Sequence, residues 1–299
     1  MKETKLKIKI FCEKSKLIGN GHYIRSKRLL NYLRNEKFDC KLYLNKNNSE
    51  LNKIVRSSKE RFKLILDLKS YEKVILKDTN KILKTISFEN LSNKKFSNCI
   101  NLYPLDIQYK KFSGPNYFVY PYYFKKMKKK ISFQKKRFLN ILIIQGGTDA
   151  NNNLNKITKL LINNDLKFNF RIILKTNDIS SVNKKFYSNK YIKVIGRLKS
   201  MKTIFKKTDI ALSACGNLAF ELGYFGIPTI HITKEPREIS RAKSFFKKNL
   251  GLYCKILEER KIKNELNKIV FNNSYRKKLI SRRISFFRKT NLITEYLKK

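Results

Sequence analysis

The amino-acid sequence predicts an α/β protein with two Rossmann-like domains, each built on a parallel sheet covered by helices. At 299 residues, the chain has room for two domains of ordinary size. Short apolar runs typical of strands alternate with longer helical segments, which predicts parallel strands joined by crossover helices. This alternation occurs in two separate series. We therefore expect two domains that face each other across a ligand-binding cleft.

The first series predicts an N-terminal domain over residues 1–125. Helices are expected at Gly21–Asn35 and Ser49–Arg61. Strands are expected at Leu6–Phe11, Cys40–Leu44, Phe62–Leu68, Ile82–Phe88 and Cys99–Tyr103. Gly114, two prolines and a run of lysines follow, so residues 126–137 are predicted to be a linker.

The second series predicts a C-terminal domain over residues 138–299. Its strands are expected at Asn140–Gln145, Phe168–Lys175, Ile192–Ile195, Asp209–Ser213 and Pro228–Ile232. Its helices are expected at Asn153–Asn163, Val182–Tyr187, Ser200–Thr208, Leu218–Phe225 and Ile239–Asn249, followed by Lys261–Phe271 and Tyr275–Phe287.

Cysteine usage and hydropathy favour a cytoplasmic protein. The five cysteines are widely spread and form no C-x-x-C pair, which argues against a disulfide framework and a structural zinc site. The first residues lack the apolar core of a signal peptide, and no apolar run approaches the roughly 20 residues of a membrane span.

The formal net charge of +47 has two interpretations. Lysines occur in nearly every segment together with Asn and Ile, which favours positive charge that is dispersed over the surface and solvated. The other interpretation is a basic face that has been selected to bind a polyanion. The cluster at residues 125–130 has the composition of a weak anchor to an anionic membrane surface, and equally of a polar linker. The basic residues are not confined to one block, and the sequence contains no stereotyped nucleic-acid-binding motif. No specific nucleic acid is therefore expected as a partner.

The first candidate site is the block Gly19-Asn20-Gly21-His22, between the first strand and its helix. Two glycines in such a turn allow close backbone approach, and the helix N-terminus offers free N–H groups to a polar ligand. A neutral imidazole at this position is suited to accept a proton, so His22 is a candidate base, with helix capping as the alternative. His231, inside an apolar strand, is predicted to be structural.

A second block, Gly146, Gly147, Thr148 and Asp149, follows a buried strand. Its backbone amides and hydroxyl are suited to bind a diphosphate. The alternative is an ordinary turn in which Asp149 or Asn151 caps the next helix.

The third block runs from Ser213 through Glu221 to Pro228. Small residues let a phosphate approach the new helix N-terminus, and Glu221 is suited to accept hydrogen bonds from ribose hydroxyls. A solvent-facing helix glutamate is the alternative. The predicted nucleotide contacts in this block are Ser213, Ala214, Gly216, Asn217, Leu218 and Glu221.

Together the three blocks resemble the family of the UDP-2,4-diacetamido-2,4,6-trideoxy-β-L-altropyranose hydrolase of pseudaminic acid synthesis, with related spore-coat polysaccharide biosynthesis proteins. More distantly they resemble the N-acetylglucosaminyltransferase that completes lipid II. The resemblance covers roughly residues 5–255 and rests on Gly19 to Arg25, Gly146 to Asp149, and Ser213 to Pro228.

The resemblance implies a GT-B fold in which the C-terminal domain holds UDP and the sugar faces the N-terminal domain. It implies that His22 activates water for attack at the anomeric carbon, with no metal and no cofactor. Residues expected near the sugar are Gly19, Gly21, Arg25, Asp67, Arg237 and Glu238.

Two positions depart from the family pattern. Arg237-Glu238 stands where the family has Asn-Gln, and Leu68-Lys69 follows Asp67 where the family has a tyrosine two residues on. Tyr71 replaces that tyrosine only if the register slips. Both departures lie near the expected sugar, so a glycosyltransferase that binds the same UDP-sugar donor is the nearest alternative function.

Overall fold

The structure, a computed structural model, forms two compact units. One comprises Met1–Phe124 with Thr290–Lys299, and the other comprises Lys125–Lys289. The residues described are 6–13, 21–44, 48–68, 70–77, 79–90, 92, 95–108, 111–124, 138–145, 149, 152–163, 166, 168–233, 235–255 and 258–298. The predicted linker at 126–137, the lysine cluster, Gly19 and the loop Gly146–Thr148 lie outside the described residues.

The first unit contains a five-stranded parallel sheet in the order β2-β1-β3-β4-β5. The strands are β1 Lys7–Cys12, β2 Asp39–Leu44, β3 Phe62–Asp67, β4 Ile82–Phe88 and β5 Cys99–Leu102, and the helices are α1 Gly21–Asn35, α2 Asn48–Arg56 and, near the C-terminus, α9 Ile293–Lys298. This is a common doubly wound order, and the direction of winding reverses between β1 and β3.

Both faces of the first sheet are covered because its strands carry apolar residues on both sides. On one face, Leu29 and Leu33 of α1 share a core with Ile8 and Ile10 of β1. On the opposite face, Leu51 and Val55 of α2 pack with Phe11, Leu64 and Leu66. The alternation of in-facing residues along β1 follows from the two-residue period of a strand.

The second unit contains a six-stranded parallel sheet in the order β11-β10-β9-β6-β7-β8. The strands are β6 Leu139–Ile144, β7 Phe170–Lys175, β8 Ile192–Ile195, β9 Ile210–Ser213, β10 Thr229–Ile232 and β11 Leu252–Cys254. The helices are α3 Asn153–Asn163, α4 Lys202–Lys207, α5 Asn217–Tyr224, α6 Pro236–Lys247, α7 Glu259–Phe271 and α8 Asn273–Phe287. This is the strand order of a Rossmann fold, with its switch point between β6 and β9.

The end of the chain differs from the expected domain assignment, which placed all of 138–299 in the C-terminal domain. Ile293 and Leu297 of α9 are buried in the same core as β1 and α1. The amide of Leu292 also donates to the carbonyl of Asn116 at 2.8 Å. The last ten residues therefore belong to the first unit.

Several predicted element boundaries are also corrected. The helix expected at Ser49–Arg61 ends at Arg56, because the hydroxyls of Ser57 and Ser58 bond back to the carbonyl of Ile54. The helix expected at Val182–Tyr187 is a single 3₁₀ turn, Lys184–Phe186. Sequence patterning missed β11 because three residues are too short to show a period. Within the described residues, no helix is both long and apolar enough to cross a bilayer.

Candidate functional site

The predicted site residues cluster at the switch points of the two sheets. In the first sheet, Cys12 of β1 and Asp67 of β3 are register partners at the carboxyl ends of their strands. In the second, Ile144 of β6 and Ser213 of β9 are partners in the same way. Ligands of open α/β sheets bind at such positions, so each unit has its own candidate site.

The candidate site of the first unit is centred on Asp67. Its Oδ2 accepts hydrogen bonds from Arg25 Nε at 2.9 Å and from Ser26 Oγ at 2.9 Å. Its Oδ1 is bonded to Arg25 Nη2 and lies 2.7 Å from His22 Nδ1. Residues 22, 25 and 26 occur at i, i+3 and i+4 of α1, so one helix face presents all three to the end of β3.

The carboxyl group of Asp67 is ionised although its side chain is only 1% exposed. Burial by itself would raise the pKa of this carboxyl. The charge of Arg25 and its hydrogen bonds, with a smaller contribution from His22, outweigh burial and lower the pKa well below its ordinary value. A fixed negative charge therefore lies next to the imidazole.

This carboxylate determines the tautomer of His22. An ionised carboxylate can only accept a hydrogen bond, so Nδ1 of His22 must carry the proton and donate it to Asp67. In the neutral imidazole, Nε2 then holds the lone pair, and it has no hydrogen-bond partner among the described residues. Because the side chain is 21% exposed, Nε2 can accept a proton from a bound molecule.

Arg25 and Asp67 were both predicted to lie near the sugar. Both are buried and bonded to each other within the unit, and Asp67 is also bonded to His22. Ser26 was not predicted, although its spacing of four residues from His22 is the signal that places it there. The hydroxyl of Tyr71 is bound to the carbonyls of Leu66 at 2.8 Å and Phe88 at 2.7 Å, so it is held inside the unit.

In the second unit, β9 leads directly into the N-terminus of α5. Gly216 is the N-cap residue of this helix, and it has no side chain with which to form a cap hydrogen bond. Ser213 is fully buried and donates to the carbonyl of Ala214 at 3.0 Å. The N-terminus of a helix is in general suited to bind an acceptor such as a phosphate oxygen.

Glu221 lies one turn into α5 and is only 2% exposed. A solvent-facing helix glutamate would be largely exposed, so its burial excludes that alternative. A buried carboxylate requires hydrogen-bond donors or a positive charge nearby.

Helix α6 places two further side chains beside this turn. Oε2 of Glu238 accepts from Thr233 Oγ1 at 2.6 Å, and a Cβ atom at Gly216 would lie 3.1 Å from Glu238 Oε1. Arg241 is buried and donates from Nη1 to the carbonyl of Cys215 at 2.7 Å. Arg241 was not predicted because nothing in its local sequence indicates that it holds the turn.

Two other predicted residues of the second unit, Arg237 and Asp149, do not contact the turn between β9 and α5 in any described hydrogen bond. Arg237 is exposed at the start of α6. Asp149 caps α3, since its two carboxylate oxygens accept from the amides of Asn153 and Leu154, each at 2.8 Å. Asp149 thus adopts the capping role that was the alternative from sequence.

Comparison with known proteins supports the fold but assigns no sequence family. The sequence matches no protein-family profile. It is 24% identical over 267 residues to the uncharacterized protein MJ1062 of Methanocaldococcus jannaschii, covering 75% of this chain. The match spans about half of that relative, 55% of its length.

Several solved structures share the architecture over almost the whole chain. S. aureus MnaA with UDP has a TM-score of 0.63 at 10% identity, covering 98% of this chain and 95% of MnaA. The Neisseria meningitidis UDP-GlcNAc 2-epimerase bound to UDP-GlcNAc has a TM-score of 0.61 at 11% identity, covering 98% and 100%. Acinetobacter baumannii MurG has a TM-score of 0.56 at 11% identity, covering 98% of both chains. The chain therefore has the GT-B fold.

Proposed function

We propose that the chain is a UDP-sugar hydrolase, which releases UDP from a UDP-linked diacetamido-trideoxyhexose in nonulosonate (pseudaminic acid-like) or surface-glycan biosynthesis. The observation that carries the proposal is the His22–Asp67 pair at the switch point of the first sheet. The pair has the geometry of an oriented general base. The resemblance of the glycine block, and of the two blocks after it, supplies the substrate class.

The proposal assigns the nucleotide to the second unit. Its support is the position of the α5 N-terminus directly after β9 at the switch point, together with buried Glu221 in the same helix. Two proteins of the same fold have structures with a bound nucleotide, namely S. aureus MnaA with UDP and the Neisseria epimerase with UDP-GlcNAc. In this assignment the amides of Asn217 and Leu218, with the loop Gly146–Thr148, bind the diphosphate, and Glu221 accepts from the ribose.

The proposed reaction is a single displacement at the anomeric carbon. Nε2 of His22 accepts a proton from water while the water oxygen forms a bond to the anomeric carbon. The bond between that carbon and the diphosphate oxygen breaks, and its electron pair leaves with UDP. Asp67 stabilises the imidazolium that forms, and helix N–H groups stabilise the charge that develops on the departing oxygen.

Isotope labelling tests this reaction directly. The purified chain is incubated with a panel of UDP-sugars in H₂¹⁸O, and UDP and sugar are analysed by mass spectrometry. We expect the label in the free sugar and none in UDP, because the carbon–oxygen bond is the one cleaved. Label in UDP would instead indicate attack at phosphorus and would contradict the proposed role of His22.

A glycosyltransferase is a second candidate, favoured by a specific observation. The calicheamicin glycosyltransferase CalG4 has the same fold, with a TM-score of 0.54 at 9% identity. A base such as His22 can deprotonate an acceptor hydroxyl as well as water. A hydrolase releases free sugar without any acceptor, whereas a strict transferase releases very little. The amount of free sugar formed in the same assay, which contains no acceptor, therefore separates the two.

A further inference from the structure

Lys175 is a buried lysine that none of the predicted motifs includes. It is the last residue of β7 and is only 6% exposed. Its Nζ donates to the carbonyl of Thr176 at 2.8 Å and to Asn177 Oδ1 at 3.2 Å. Both partners follow the strand, so the ammonium group lies at the carboxyl edge of the second sheet, where ligands of open α/β sheets bind.

The ammonium group has no counter-ion within the described part of the chain. Its two partners are neutral oxygens, and no carboxylate there forms an ion pair with it. Burial lowers the pKa of Lys175, and no nearby charge contributes. A buried charge without a partner destabilises a protein, so its presence requires a reason.

Strand register places Lys175 beside the switch point. It pairs with Ile144 of β6, which in turn pairs with Ser213 of β9. Ile172 and Leu174 of β7 belong to the core on one face of the sheet, so Lys175 lies on the opposite face. That face is shared with Ser213, and the two residues are two strand spacings apart, about 10 Å.

A second unused donor lies at the same edge. Gln145 follows Ile144 directly, and its side-chain Nε2 is buried with no hydrogen-bond partner. A buried amide group of this kind is rare in native structures and is usually explained by a ligand or water. The adjacent strands β6 and β7 thus both end beside a buried donor. The amide of Gln145 has no acceptor among the described residues, and the ammonium group of Lys175 has no negatively charged one there.

A second lysine with the same exposure shows that burial alone does not predict a ligand. Lys63 of β3 is also 6% exposed, but its Nζ donates to the carbonyl of Leu297 at the C-terminal end of α9. The negative end of a helix dipole stabilises a cation there, so contacts within the first unit account for the burial of the Lys63 ammonium group. Lys175 has no such helix end among its partners.

We propose that Lys175 binds the diphosphate of the ligand and neutralises part of its charge at the β6–β9 switch point. The inference rests on the proposed nucleotide site and adds a charged contact to it. The anion supplies the counter-ion that Lys175 lacks, and the contact between them is a charge-assisted hydrogen bond.

Lys175→Met tests the proposal because methionine fills a similar volume without the charge. Calorimetry at a fixed salt concentration of about 0.15 M measures binding of UDP and of inorganic diphosphate. We expect affinity for both to fall about 10- to 100-fold, as for loss of a hydrogen bond to a charged group. Lys175→Arg, which keeps the charge, should retain most of the affinity for both probes.

Lys63→Met is the matched control, since it removes one buried lysine from the other unit. It should leave both affinities unchanged, which excludes a general effect of net charge. Thermal unfolding without ligand provides the readout that a structural role would move. We expect Lys175→Met to be at least as stable as the wild type, because it removes an unpaired buried charge.

The outcomes separate this inference from the proposed function. If Lys175→Met binds UDP and diphosphate as well as the wild type does, the inference is wrong and the nucleotide site stands. If the wild type binds diphosphate but not UDP, and Lys175→Met loses diphosphate, the nucleotide assignment fails and the role of Lys175 holds. A wild-type chain that binds neither probe overturns both. If Lys175→Met does not fold, Lys175→Gln replaces it, and unchanged binding of both probes by Lys175→Gln overturns the inference alone.

Discussion

The carboxyl edges of the two sheets carry different kinds of groups. In the first unit, charged side chains are bonded to one another, with Asp67 accepting from His22, Arg25 and Ser26. In the second unit, helix α5 begins directly after Gly216 at the end of β9, and Lys175 has only neutral hydrogen-bond partners. The first edge is thus a bonded network of charged side chains, whereas the second combines a helix N-terminus with a buried lysine that has no carboxylate partner among the described residues.

The two histidines show the same difference. His22 is partly exposed and bonded to a carboxylate. His231 of β10 is fully buried, with its ring edge-on to Phe245. Burial, together with the charge of Arg283, lowers the pKa of His231 to about 3. One imidazole is partly exposed beside a carboxylate, and the other is a neutral part of the core.

The largest effect should follow from breaking the network of the first unit. Asp67→Ala leaves the buried guanidinium of Arg25 without its main partner, so we expect a loss of about 3–5 kcal/mol in the free energy of unfolding. Urea denaturation measures it. The double variant Arg25→Met with Asp67→Leu should recover most of the stability, since apolar replacement of a buried pair is often neutral. If Asp67→Ala alone unfolds like the wild type, Arg25 is not held by this carboxylate.

Acid should destabilise the second unit through His231. Its folded pKa of about 3 lies below the ordinary value near 6.5, so the unfolded chain binds a proton that the folded chain does not. The stability that the neutral, buried His231 contributes is fully present above about pH 6.5 and is lost progressively as the pH falls toward 3. From pH 7.5 to 5 we expect a loss of about 2 kcal/mol. Parallel urea titrations of wild type and His231→Gln isolate it, and equal pH slopes would contradict the prediction.

Nucleotide affinity should depend on Glu221. If this buried carboxylate accepts from ribose hydroxyls, Glu221→Gln should weaken UDP binding by about 1–3 kcal/mol, the contribution of a charge-assisted hydrogen bond. Calorimetry measures the change. Glu259→Gln, at an exposed position of α7, is the control and should bind UDP normally. Unchanged affinity in Glu221→Gln would mean that this carboxylate has a structural partner only.

The smallest effect is expected at Asp149, where capping and binding can be told apart. Asp149→Ala removes the acceptor for two amides of α3, so the free energy of unfolding should fall by about 1 kcal/mol. Asp149→Asn, another good N-cap residue, should recover most of this loss. UDP affinity should be the same in both variants. A large loss of affinity would return Asp149 to the nucleotide contacts.

Much of the fold was predictable because strands and helices in doubly wound sheets have distinct periods. Helix α1 was predicted from Gly21 to Asn35, and α3 from Asn153 to Asn163, both as the structure has them. The assignment of α9 to the first unit was not predictable, since a short amphipathic helix does not encode which core it joins. Its burial beside β1 is a tertiary result.

The candidate sites were predictable only in part. Sequence identified the positions of His22 and Asp67 as notable, but not that Asp67 fixes the tautomer of His22 across 45 positions of sequence. Arg241 and Lys175 were missed because no local pattern distinguishes them among so many basic residues. Burial and strand register, which sequence does not give, set them apart.

The most direct test of the account is the turnover and UDP affinity of His22→Asn, measured on the same preparation. Loss of the base should lower kcat for UDP release by roughly 10²–10⁴-fold. UDP affinity and the unfolding transition should stay close to wild type, because the nucleotide is assigned to the other unit. Lys27→Asn, an exposed position on the same helix, is the matched control and should retain full turnover. If His22→Asn turns over like the wild type, then His22 is not the base and the proposed mechanism is wrong.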